Sequence, residues 1–104
     1  MSFRRSAAEA KERQRWRTFL ADHEEQLRQV GLPQHIYHDK PAFDHWLMHG
    51  VHPLDPSGFS AESLSQGQRD LLVNVIAAYL DAGFQNPGIA VLSGEERQRI
   101  SKRP

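Results

Sequence analysis

The chain has 104 residues, thirteen Lys and Arg against thirteen Asp and Glu, and no cysteine. That length suits one domain with a single modest core, and the missing cysteine excludes disulfides, zinc–thiolate sites, iron–sulfur clusters and cysteine nucleophiles. Zero net charge argues against strong nonspecific affinity for nucleic acid or membrane, and the longest apolar run, Val75–Leu80, falls far short of the roughly 20 residues that span a bilayer.

The charges are unevenly placed. Residues 1–17 carry a balance of +4, residues 18–94 a balance of −6, and the last ten residues +2. Basic ends thus flank an acidic middle. No apolar stretch follows Arg4 and Arg5, so no signal peptide is expected, and the chain reads as cytoplasmic.

In chain order, Ser6-Ala7-Ala8-Glu9 has the spacing of a capping box, which predicts a first helix from about Ala7 to Val30. Gly31 and Pro33 end it. Trp16, Phe19, Leu20, Leu27 and Val30, with His23 in the same row, form one narrow stripe. Continued backward, that stripe meets Glu12, Glu9 and Arg5, so docking onto the core is expected to begin near Trp16. Residues 1–15 are then a basic, partly solvated helix start, and residues 16–104 a single helical domain.

A loop over residues 32–39 leads to a second helix from about Lys40 to His49, with Pro41 in its first turn and Gly50 at its end. Phe43, Trp46 and Leu47 make its buried face. Asp55-Pro56-Ser57-Gly58 fits a type I turn. Ser65-Gln66-Gly67-Gln68 is a second capping box, opening a helix over 66–82 that Gly83 closes. Leu71, Leu72, Val73, Val75, Ile76, Tyr79 and Leu80 cover more than half of its circumference, the mark of a helix with neighbours on several sides. Asn86-Pro87-Gly88 predicts a type II turn, Ile89–Leu92 an extended segment packed on the core, and Ser93-Gly94-Glu95-Glu96 a third capping box starting a short last helix. The expected fold is all-α: a small single-domain bundle of about four helices, two long and two short, around a central apolar helix.

Two groups of residues stand apart from this scaffold. Arg4, Arg5, Lys11, Arg13, Arg15 and Arg17 make a basic surface for a protein partner or, alternatively, for nucleic-acid phosphates. Glu9 and Glu12 interrupt it, and no helix-turn-helix spacing accompanies it. Five histidines, His35, His38, His45, His49 and His52, fall within eighteen residues. His45 and His49, at i and i+4, share one helix face and can chelate a metal, with Asp39, Asp44 or His52 as further ligands. The Glu that follows the first His in zinc-protease helices is absent. The same histidines can instead sense pH, because their protonation reverses the sign of the local charge. Trp16 and Trp46 read as core, whereas Phe3, Tyr37 and Phe59 are free to serve a partner surface.

No nucleophile, base and orienting acid assemble from these residues, and no cofactor motif is present, so a non-enzymatic role is expected. The reading that asks least of the sequence is a small adaptor or regulatory protein that binds another protein. The alternatives are a nucleic-acid-associated protein and a histidine-based metal binder. Pairing of the exposed helix start with a second copy would give a homodimer.

Overall fold

The computed structural model describes the backbone of residues 3–52, 56–85 and 87–101, and the side chains of these from Ala8 onward. Its elements in chain order are α1 (Phe3–Val30), α2 (Gln34–Tyr37), α3 (Lys40–His49), a 3-10 turn (Ala61–Ser63), α4 (Gln66–Asp81) and α5 (Gly94–Ser101). No strand occurs among the described residues. The protein is an all-α bundle in which α4 packs against both α1 and α5, while α2 folds onto α3.

Why α4 lies at the centre follows from its sides. Leu72, Val73, Val75, Ile76, Ala77 and Tyr79 are buried, and Leu71, Ala78 and Leu80 rest half-buried on the same core. Each large apolar side chain removed from water stabilises the fold by roughly 1.5–3 kcal/mol. The start of α4 is fixed by a complete capping box. The Ser65 hydroxyl accepts from the Gln68 amide at 3.2 Å, and the Gln68 side chain accepts from the Ser65 amide at 2.8 Å. Gly83 closes the helix at φ +90°, a left-handed conformation that glycine adopts without steric cost.

The first expected capping box does not form a helix start. α1 is already helical at Phe3, which puts Ser6 inside it. Nothing in Phe3-Arg4-Arg5-Ser6 interrupts a helix, so a cap-like spacing had no boundary to mark. Residues 32–39 hold one helical turn, α2, where a loop was expected, and it buries Ile36 and Tyr37. Tyr37 is therefore core, not partner surface, and its carbonyl accepts from the Trp16 indole at 3.0 Å. Phe59 likewise packs on the core, where its carbonyl accepts from the Trp46 indole at 3.0 Å. The Phe3 side chain and the turn residues Asp55 and Asn86 lie outside the described set.

One end of the core is aromatic. Trp16, Phe19, Phe43, Tyr79 and Phe84 meet with ring centroids 5.0–6.2 Å apart, mixing stacked and edge-to-face pairs. The Tyr79 hydroxyl donates to the Asp44 carboxylate, which also receives Lys40 at 2.6 Å. Burial first, and then that hydrogen bond, hold the Tyr79 hydroxyl well above the usual tyrosine range, so it remains a donor.

The other end is tied by an ion pair. Arg69 of α4 meets Glu96 of α5 through Nε at 2.9 Å and Nη2 at 2.6 Å, and also donates to the carbonyls of Ala61 at 3.1 Å and Val91 at 2.8 Å. Glu96 is at the same time the third residue of the Ser93 capping box, accepting from the Ser93 amide at 2.9 Å. One guanidinium thus joins α4, the 3-10 turn, the extended segment before α5, and α5 itself. The hydrogen bonds from Arg69 hold the Glu96 carboxyl below its ordinary value of 4.5, and the same contact raises Arg69.

Candidate partner groove and histidine face

Among the described side chains of α1, the buried ones begin at Trp16 and continue with Phe19, Leu27 and Val30. Between Ala8 and Arg15 every side chain is exposed except the half-buried Glu12. This stretch of α1 runs alongside the α2–α3 junction, and the two enclose a surface groove of ≈ 560 Å³. Glu9, Glu12, Arg13, Trp16 and Arg17 form one wall, all on one face of α1 by their i, i+3, i+4 spacing. His38, Asp39, Lys40 and Pro41 form the other.

The charges of the groove fall into two classes. Lys40 is engaged by Asp44, Glu12 by Arg15 at 3.2 Å, and the Asp39 carboxylate caps α3 by accepting from the Ala42 amide at 2.8 Å. Arg13 and Arg17 make no ion pair among the described residues, and neither does Glu9, although Glu9 and Arg13 stand at helix-pair spacing. Two exposed guanidiniums one helical turn apart therefore line a concave site with no carboxylate paired to them among the described residues.

Of the six basic residues expected to act together, the four whose side chains are described take different places. The side chains of Arg4 and Arg5 lie outside the described set. Lys11 is exposed but does not line the groove. Arg15 is held against the bundle, donating to the Ala82 carbonyl at the end of α4 at 3.1 Å and lying 4.7 Å over the Phe84 ring. It works as a cation at a helix C-terminus, where the dipole favours positive charge. That leaves Arg13 and Arg17 in the groove.

The histidines are separated too. His38 lines the groove, and His35 shares a 2.7 Å hydrogen bond with the Ser57 carbonyl. His45 and His49 stand together on the outer face of α3, both exposed, with ring centroids 4.7 Å apart. His52 is exposed beyond the helix end. Of the further ligands considered, Asp39 serves the α3 cap and Asp44 binds Lys40 and Tyr79. No group of three or more His, Cys, Asp or Glu side chains comes together to hold a metal among the described residues.

No helix among the described residues is long and apolar enough to cross a membrane. Comparison with protein-family models, with curated proteins and with solved structures gives no match for this chain.

Sequence reasoning did not find Lys40, Asp39 and Pro41 as groove residues. Their proximity to α1 depends on how α2 turns the chain, and that one-turn helix carries no capping signal: Pro33 at its start has no side chain able to cap it.

Proposed function

We propose that this protein is a small non-enzymatic binding module that takes an acidic segment of another protein into the groove between α1 and the α2–α3 junction. The observation that carries this reading is the pair Arg13 and Arg17. Arg15, Arg28, Arg69 and Arg99 are spent on the fold or on a neighbouring carboxylate, while Arg13 and Arg17 make no ion pair among the described residues and line a concavity. A guanidinium presents a planar fork of donors that suits carboxylates, and two of them one turn apart match carboxylates on an extended or helical partner segment. Glu9 in the same groove adds a contact for a basic residue and penalises a continuous phosphate backbone, which favours protein over nucleic acid.

The test is capture of partners from host lysate on untagged, immobilised protein, with and without nuclease, against the double variant Arg13→Glu/Arg17→Glu. The expected result is a defined protein that survives nuclease and is lost with the double variant. Capture that disappears with nuclease would favour the nucleic-acid alternative, and capture indifferent to the substitutions would move the interface elsewhere.

A further inference from the structure

The face of α3 opposite the core carries chemistry that the groove does not use. We infer that His45 and His49 form a two-histidine chelate for a single borderline divalent transition metal, Cu2+ in preference to Ni2+ or Zn2+.

The geometry of the pair fits. A metal–nitrogen bond of about 2.0–2.1 Å plus roughly 1.1 Å from nitrogen to ring centre, at N–metal–N angles of about 90–109°, places two imidazole centroids about 4.5–5.2 Å apart. The observed separation is 4.7 Å, with the ring planes inclined at 46°. The two rings therefore stand at chelating distance before any ion arrives.

The helix beneath them is held firmly. Asp39 caps its first turn and Phe43, Trp46 and Leu47 are buried, so positions 45 and 49 are carried on a fixed backbone. At the far end the Trp46 indole lies against Gly50, where an added Cβ would collide with the indole nitrogen. Gly50 has an ordinary φ of −74°, so close approach, not backbone conformation, requires glycine there. Val91 closes the same turn by donating its amide to the Leu47 carbonyl at 3.1 Å.

The ligand set selects the metal class. Neutral imidazoles suit Cu, Ni and Zn, and affinity at a given nitrogen site peaks at Cu2+. Because no third protein ligand joins the pair among the described residues, water or a donor from a partner completes the coordination sphere. The site is an exchangeable one, unlike the closed four-ligand sites that hold structural zinc.

The test uses the untagged full chain titrated with Cu2+ at pH 7.5, read by calorimetry and by electron paramagnetic resonance. One ion per chain is expected, with superhyperfine structure from imidazole nitrogens. His45→Ala and His49→Ala should each weaken binding at least tenfold, while His38→Ala leaves it unchanged. Circular dichroism should show all variants folded, since these side chains are exposed, and the ion should raise the Tm of the wild type and the His38 variant only. Unchanged affinity in both α3 variants, or no saturable binding in the wild type, would overturn the assignment.

Discussion

Arg69 and Arg17 are the same side chain put to opposite uses. Arg69 spends its donors on Glu96 and on two backbone carbonyls, and its pair closes the α4–α5 end of the bundle. Arg17, with Arg13 beside it, lines a groove and pairs with nothing among the described residues. Acidic residues lie near in both places. Around Arg69 the carboxylate is itself held by a capping box, so the pair has one geometry. In the groove, Asp39, Glu12 and Lys40 are engaged by other partners. A cation belongs to the fold when its counter-charge is fixed by the fold; in the groove the remaining carboxylate, Glu9, is exposed and makes no ion pair among the described residues, which leaves Arg13 and Arg17 available to a partner.

The comparison breaks first, and most visibly, at Arg69. Arg69→Ala leaves the Glu96 carboxylate, 7 % exposed as a residue, without its partner. Stability should fall by about 3 kcal/mol, seen in thermal melts as a Tm drop of more than about 10 °C. A loss below about 1 kcal/mol would show that the pair is not closed.

Acid supplies the second test. Glu96 is held below 4.5 in the folded protein, so it binds fewer protons folded than unfolded. Its contribution is complete above pH 4.5 and is lost as pH falls through the lower folded-state value. The difference in urea stability between wild type and Glu96→Gln should therefore be constant from about pH 7 to pH 5 and narrow toward about pH 3. A difference that widens in acid would reverse the assigned sign.

Tyr79→Phe should cost about 1.5 kcal/mol, the worth of a hydrogen bond to a charged acceptor, because Asp44 keeps Lys40 as a partner. Denaturant midpoints read this directly. Smallest of all is the expected effect of Arg13→Glu/Arg17→Glu on folding, within about 0.5 kcal/mol of wild type, since neither guanidinium is held by the bundle. A large loss there would mean that the groove arginines belong to the scaffold after all.

Much of the scaffold was legible because its signals are local. The boxes at Ser65 and Ser93, the closing glycine at Gly83 and the wide apolar arc of α4 each need only a few consecutive residues to be recognised, and each appears where expected. The box at Ser6 misled because a cap spacing alone does not break a helix whose preceding residues are also helix formers. The long-range contacts were hidden. Arg69 and Glu96 lie 27 positions apart, and Arg15 reaches Ala82 across 67. Neither pairing leaves a periodic trace, so Arg15 counted with the partner surface and Arg69 went unnoticed. The groove itself was half visible: its α1 wall follows from where the apolar stripe stops, but its second wall depends on the turn of α2. Five clustered histidines suggested one site, and the fold distributes them among several surroundings because α2 and α3 point neighbouring residues in different directions.

The contrast between fixed and available arginines is tested most directly by nuclear magnetic resonance of the arginine Nε–H groups. Arg69 should give a slowly exchanging, sharp Nε–H signal and Arg13 and Arg17 fast exchange, with only the latter two shifting when a Glu-rich peptide is added. Equal protection of all three, or an Arg69 signal that moves with the peptide while Arg13 and Arg17 stay still, would contradict that contrast.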